Sequence, residues 1–328
     1  MEVKLIAFES LGTRSMCTFI RTDDVSILID PSMACTSRSD LPPHPTEYEV
    51  ILRKRAEVLS MMDEVDVVVT SHYHYDHLSP PETELVHTLS TRAYTDAVYT
   101  DKILCCKDPE VRVSGRQAER GRAFKRMYSR RAKSFIIADG KSLTFGGTTV
   151  SFSPALWHGK VGSVQGSVVG TCVSDGDEVV VHSADVQLLN APAAEWMRET
   201  GADLVIVAGP PLFSRERAGE TERWLSIRLL RRMLEKVGEA VVDHHLLRSP
   251  EWREYLLDAD PKGRAICAAQ KAGAEVLNYE VRRAELYSRE PVEKEFHESL
   301  GRGRLPERLR SAVYQLGIED VYKGVLCR

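Results

Sequence analysis

The chain has 328 residues, with 44 Lys+Arg against 48 Asp+Glu, and a formal net charge of -4 draws it as a whole toward neither nucleic acid nor membrane. That length holds one large α/β domain or two small ones, with a core that needs no disulfides. Seven cysteines, an odd count without framework spacing and with Cys105 and Cys106 adjacent, fit reduced thiols in a cytoplasm. No charged leader precedes an apolar stretch, and no run reaches the ~18 apolar residues of a membrane span. A soluble cytoplasmic protein is expected.

In chain order, residues 3–8, 17–21 and 25–29 read as short strands, the last closed by Asp30-Pro31, where proline forbids continuation. A proline-stiffened loop at 41–45 precedes a helical pattern over 47–62, with Val50, Ile51, Val58, Leu59 and Met62 on one face. The β-branched run 65–70 reads as a buried strand. Residues 85–141 are mixed in pattern, with a polar helix over 117–132, and read as an insertion over a core. Sheet character returns at 142–152. Further strands are expected at 167–172, 178–182, 204–208 and 240–242, with helices at 193–200 and 221–237. Beyond Pro250 the chain turns helical, apart from a short strand at 275–277, and charged helices run to Cys327-Arg328. No repeat or low-complexity linker marks a second domain.

The strand at 65–70 delivers Ser71-His72-Tyr73-His74-Tyr75-Asp76-His77, three histidines and an aspartate within six positions. Imidazole and carboxylate are the ligands zinc and its neighbours take, and alternate residues of an extended segment point the same way. His72 and His74 therefore grip one ion as a pair. Asp76 and His77, past a turn, face a second, since paired ions in hydrolytic sites lie roughly 3.5–4 Å apart. The missing ligands stand at later strand ends: His158 before a Gly-rich turn, Asp185 past the strand at 178–182, and His244-His245 after the strand at 240–242. Strand ends gather along one edge of an open α/β sheet, which is where sites are built.

This order, His-x-His-x-Asp-His, then His, then Asp, then His, resembles the metallo-β-lactamase-fold hydrolases. The wording of 10–15, 41–45 and 243–248 further resembles a UPF0282-like group of archaeal proteins within that superfamily. The resemblance covers roughly residues 1–250 and implies an α/β four-layer αββα sandwich with metals at one edge, a middle insertion at 85–141, and a helical extension over 251–328. It assigns His72, His74 and His158 to a first ion, and Asp76, His77 and His244 or His245 to a second, with Asp185 bridging them. His244 is preferred because it leaves the strand first. Asp30 matches an aspartate that buttresses the histidine turn, and His182 falls in a core or supporting position. His44, His87 and His297 lack partners in sequence.

Two bridged divalent cations bring the pKa of a shared water from 15.7 toward ~7, which supplies hydroxide at neutral pH. Asp76 then orients the water. The spare member of His244/His245 is the first choice as proton donor to the leaving group, with Tyr73 or Tyr75 as weaker choices. Zinc suits the ligand set best, and iron or manganese also accept it. The glycines at 12, 159 and 162 read as tight turns rather than a phosphate cradle.

Substrate class is carried by one feature. Residues 112–133 hold nine Lys and Arg against the single acid Glu119, with Phe124 and Tyr128 interleaved. Three expectations follow: a dinuclear hydrolase of a phosphoester or small ester-like substrate; an RNA or DNA nuclease that uses the basic segment; or a metal-containing binding protein without activity. The bland reading of the basic segment is a solvated helix paired with acids elsewhere.

Overall fold

A computed structural model describes residues 1–326. The first half of the chain builds a six-stranded sheet in sequential order: β1 (Glu2–Phe8), β2 (Met16–Arg21), β3 (Ser26–Ile29), β4 (Val67–Thr70), β5 (Ile103–Cys106) and β6 (Ser134–Ile137). β1 to β3 form an antiparallel meander, and β3 to β6 run parallel. Helices α1 (Pro45–Met61), α2 (Arg92–Tyr99) and α3 (Gly115–Tyr128) make the crossovers. Side chains alternate in these strands as the pleat requires. In β4, Val67 and Val69 enter the core between the sheets, whereas Val68 enters the core beneath the helices. Burial on both faces explains the unbroken valine run Val67-Val68-Val69 that precedes Thr70.

The second half adds β7 (Ser142–Phe145), β8 (Thr148–Phe152), the ribbon β9 (Leu156–Trp157) and β10 (Ser167–Val168), β11 (Thr171–Ser174), β12 (Val179–His182), β13 (Leu204–Val207), β14 (Glu239–Val242) and β15 (Ala265–Ile266). Its seven-stranded sheet has the order β15-β14-β13-β12-β11-β8-β7, parallel from β12 to β15. Helices α4 (Ala191–Glu199), α5 (Glu220–Met233), the single turn α6 (His244–Leu247), α7 (Trp252–Ala259) and α8 (Ala268–Lys271) follow in this half. One core joins Ile27, Val67 and Cys105 of the first sheet to Val150, Val181 and Val205 of the second, and it continues to Leu230 and Trp252 beneath the outer helices. This is the expected αββα order.

Two expectations change. Residues 85–141 are not an insertion: β5 and β6 lie inside them, hydrogen-bonded into the same sheet as β4, with α2 and α3 as crossovers. Four-residue strands between polar helices gave too short a pattern to register. Residues 251–326 pack on the same sandwich. β15 extends the second sheet, and α7 and α8 complete its core. The helices α9 (Arg283–Arg289), α10 (Lys294–Gly301), α11 (Glu307–Gln315) and α12 (Glu319–Leu326) follow. Leu300, Leu309, Val313 and Tyr322 of this set close the core above α1 and α2. The strand expected at 275–277 is absent; Leu277 makes a lone backbone bond to Ser10.

Candidate metal centre

The parallel strands β3 and β4 end side by side, and the first contacts of the centre are made there. Asp30 leaves β3 in a left-handed conformation (φ 51°) that an aspartate tolerates. Its buried carboxylate accepts the Ser71 backbone N–H at 2.8 Å, the Ser71 hydroxyl at 2.6 Å and His77 Nδ1–H at 2.8 Å. These bonds fix two imidazole tautomers. His77 Nδ1 carries the proton, so Nε2 is bare. The Ser71 hydroxyl proton is spent on Asp30, so its oxygen can only accept from His72 Nδ1, 3.0 Å away, which bares His72 Nε2 as well. Asp30 therefore buttresses the histidine turn.

Asp185 is the hub. It follows Ala184, which sits at φ 56° past β12. Its Oδ2 lies 2.7 Å from His158 Nε2, 3.5 Å from His72 Nε2, 3.7 Å from His77 Nε2 and 4.0 Å from His74 Nδ1. Its Oδ1 lies 3.1 Å from His244 Nε2 and 3.2 Å from His245 Nε2. Ligand atoms of His72, His74, His158 and Asp185 fall within 4.8 Å of one another, as do those of Asp76, His77 and His244, and those of Asp185, His244 and His245. His182 is apart from these groups. Its Nε2–H donates to the Met16 carbonyl at 2.9 Å and its Nδ1 accepts the Ala184 N–H at 3.1 Å, so it shapes the turn that carries Asp185.

The donor set fits a divalent cation. His77 Nε2, His158 Nε2, Asp185 Oδ1 and both nitrogens of His245 are buried without a hydrogen-bond partner, an arrangement a folded protein keeps where an ion fills it. Burial pushes His72 down to about 3 and lowers His158 and His245, which keeps them in the neutral form that ligates. Burial alone would raise Asp76 and Asp185. The imidazoles outweigh it, His77 and His244 at Asp76 and His245 and His244 at Asp185, and both stay ionised. His77 and His244 are in turn raised against burial by Asp185, Asp30 and Glu9, so a cation that binds there displaces a proton.

Sequence reasoning missed the residues that hold these ligands. Glu9, 3% exposed at the end of β1, accepts His244 Nδ1–H at 2.7 Å and Arg248 Nε–H at 2.5 Å. Asp243, pushed up to about 6 by burial, accepts the N–H groups of Ser10, His244 and Ala268. Gln187 reaches His158 Nδ1 at 3.1 Å, and Gln117 of α3 lies 3.3 Å from His74 Nε2. A buried acid at the end of β1 was the one signal in sequence, and nothing local linked it to His244. Tyr73 is also corrected: it is fully buried with its hydroxyl on the Lys107 carbonyl, so it is no proton donor to a substrate. His44 caps α1, and His297 Nε2–H donates to the Pro43 carbonyl at 2.8 Å.

Fold and site together define a protein of the metallo-β-lactamase fold class. A family model described as "Beta-lactamase superfamily domain" matches residues 26–245. The chain is 35% identical over 292 residues to a UPF0282 protein of Thermococcus gammatolerans, covering 88% of this chain and 96% of that one, and 36% identical over 292 residues to one of Methanopyrus kandleri, covering 88% and 97%. It belongs to the UPF0282 family within the β-lactamase superfamily. Among solved structures, the metallo-β-lactamase fold protein YhfI of Bacillus subtilis aligns at TM-score 0.50 and 17% identity, over 84% of this chain and 96% of that one. A protein of Veillonella parvula described as a possible metal-dependent hydrolase aligns at TM-score 0.50 and 14% identity, over 78% and 94%. Among the described residues, no helix is long and apolar enough to cross a membrane.

Proposed function

We propose that this chain is a metal-dependent hydrolase with room for two divalent ions, zinc by preference, acting on a phosphoester or small ester-like substrate. The observation that carries the reading is the convergence of the buried Nε2 atoms of His72, His77 and His158 on the carboxylate of Asp185, those of His77 and His158 without a hydrogen-bond partner. A bound divalent cation supplies Lewis acidity, which polarises a substrate oxygen and acidifies a water. The chain's own residues do the rest. Asp76, ionised and 18% exposed at its side chain, accepts a hydrogen bond from the attacking water and orients it. His244, tied through Nδ1 to Glu9, serves the second ion. His245 has no other partner for either nitrogen; burial holds it neutral, so the proton it gives to the leaving oxygen is one it first takes from the attacking water. A location in the cytoplasm goes with this reading.

The test is a panel of phosphodiesters, acyl esters, thioesters and lactones, run on chelated protein and on protein reloaded with zinc, manganese or iron. Hydrolysis of one class should require metal and disappear in Asp76→Ala with the fold intact. Equal turnover by the chelated protein overturns the reading, and silence across the whole panel leaves the non-enzymatic binding protein standing.

A second reading, a nuclease, rests on where α3 lies. Its first turn reaches the rim at His74, and Arg120 covers the Tyr75 ring at 3.6 Å. Arg116, Lys125 and Arg126 are exposed along it and Arg130 just past its end, whereas Arg122 pairs with Glu110 and Arg131 with Asp96. Salt-sensitive binding of single-stranded RNA or DNA that weakens when Arg116, Arg126 and Arg130 are changed together supports it; no complex at low salt removes it.

A further inference from the structure

The two halves of the centre differ in one respect that bears on how they fill. Around His72, His74 and His158 the supporting side chains are the Ser71 hydroxyl, itself bonded to Asp30, and the neutral amides of Gln117 and Gln187, none of them cationic. Around Asp76, His77 and His244 a guanidinium is already present. Arg248 Nη2 lies 3.0 Å from His244 Nε2 and 3.7 Å from Asp76 Oδ2, beside two of the three atoms that would take a second ion. His244 gives its Nδ1 proton to Glu9, and Arg248 Nη2, 3.3 Å from Nδ1 as well as 3.0 Å from Nε2, lies against the imidazole and brings its positive charge to the second ion's place.

This placement is built in. His244 and Arg248 stand four positions apart on and just past the single turn α6, so their side chains share a face. One carboxylate clamps both, Oε2 of Glu9 on His244 and Oε1 on Arg248. Arg248 is 4% exposed, and the Phe213 ring centroid is 5.9 Å from its guanidinium, so solvent screens the charge poorly.

We propose that Arg248 stands in for the second cation of this centre, so that the chain fills it in order: first at His72, His74, His158 and Asp185, and only later and more weakly at Asp76, His77 and His244. The inference rests on the hydrolase reading for the presence of a metal centre, and it adds which half is the working ion's home. A second dication must tolerate the guanidinium charge beside two of its three ligand atoms, which weakens that step by about 10–100-fold relative to the first. A guanidinium kept beside the first ion is also suited to an anionic oxygen of a carboxylate or phosphate substrate.

The test reads stoichiometry, not turnover. Chelated full-length protein is titrated with Zn2+ by calorimetry and by native mass spectrometry, as wild type and as Arg248→Met. The wild type should take one equivalent tightly and a second at least about tenfold more weakly. In Arg248→Met the second step should tighten by about tenfold or more, with the first within twofold. Two equal steps in the wild type, or an unmoved second step in Arg248→Met, overturn the proposal. If Arg248→Met fails to fold, anomalous scattering from wild-type crystals holding one equivalent decides: an ion confined to the His72, His74 and His158 position supports it, and one divided between both positions overturns it. Failure to bind any ion overturns this proposal together with the reading beneath it. Ordered two-step uptake without hydrolysis of any substrate overturns only that reading.

Discussion

Glu9 and His244 are 235 positions apart in the chain, and they meet at 2.7 Å between Oε2 and Nδ1 in the closed interior of the sandwich. The contact ties the end of β1 in the first sheet to the turn after β14 in the second, so the ligand from one sheet is aimed by a carboxylate from the other. A carboxylate on the far nitrogen of a ligating imidazole fixes its tautomer and raises its basicity. Glu9→Gln should therefore weaken uptake of the second ion by about 10–100-fold and leave the first step nearly unchanged. Metal titration of the chelated variant checks this. Unchanged second-step affinity would show that His244 needs no such partner.

Asp30 performs the corresponding task on the other sheet, and more rests on it. Asp30→Ala leaves the Ser71 N–H, the Ser71 hydroxyl and His77 Nδ1–H buried without their acceptor. Each such group costs about 1–3 kcal/mol. The expected result is a large fall in unfolding free energy in denaturant, together with loss of tight metal uptake, since both the His72 and His77 tautomers become free. A variant with wild-type stability and affinity would contradict the role given to Asp30.

How much of this was legible beforehand follows from distance along the chain. The turn from Ser71 to His77 could be read directly, because ligand spacing and the strand before it lie within a dozen residues. His158, Asp185 and His244 could be placed only through their shared relation to strand ends and through family resemblance. Glu9 was out of reach, and Asp243 and Arg248 were marked only by the family wording of 243–248: their contacts depend on β1 and β14 arriving at one edge, and a buried acid in sequence looks like any other. Residues 85–141 were misread for a different reason. β6 is a half-buried edge strand with the sequence Ser-Phe-Ile-Ile, and four residues do not establish a period.

His245 separates proton delivery from metal binding. Both of its nitrogens lack a hydrogen-bond partner, its Nε2 is 3.2 Å from Asp185 Oδ1, and burial keeps it neutral. His245→Ala should keep the metal stoichiometry and slow substrates with poor leaving groups by about 10²–10⁴-fold, while sparing nitrophenyl-type substrates whose leaving group needs no proton. The comparison is a leaving-group series of kcat values at saturating metal. A uniform loss across the series, or a lost ion, would assign His245 to ligation instead.

Acid sensitivity should trace to the attachment of the C-terminal segment. Glu280 pairs with Arg14 through two contacts, at 2.5 and 2.7 Å, and with Arg38 at 3.4 Å. Burial works against its charge, and Arg14 outweighs burial, so its carboxyl sits at about 2 instead of the ordinary 4.5. A carboxyl lowered in the folded state adds stability that is complete above its unfolded value and fades as pH falls from there through the folded one. Glu280→Gln should therefore be less stable at neutral pH, and its stability should decline less steeply than the wild type between pH 4.5 and about 2. Denaturant melts across that window test it; parallel curves would mean that the pair contributes nothing.

The close approach of α3 to the histidine turn depends on one missing side chain. A Cβ at Gly121 would lie 2.5 Å from Tyr73 Cε2 and 2.7 Å from Pro109 Cβ, both in packed surroundings, whereas one at Gly115 on the same helix meets nothing within 4 Å. Gly121→Ala must push the Tyr73 ring, and Tyr73 stands between His72 and His74. Overpacking of this kind costs about 1–3 kcal/mol, and here the displacement should also loosen the first ion's ligands. Gly115→Ala is the control on the same helix, expected to be near neutral. Paired thermal melts and metal titrations decide: if both variants behave alike, the contact between α3 and Tyr73 is not what positions the turn.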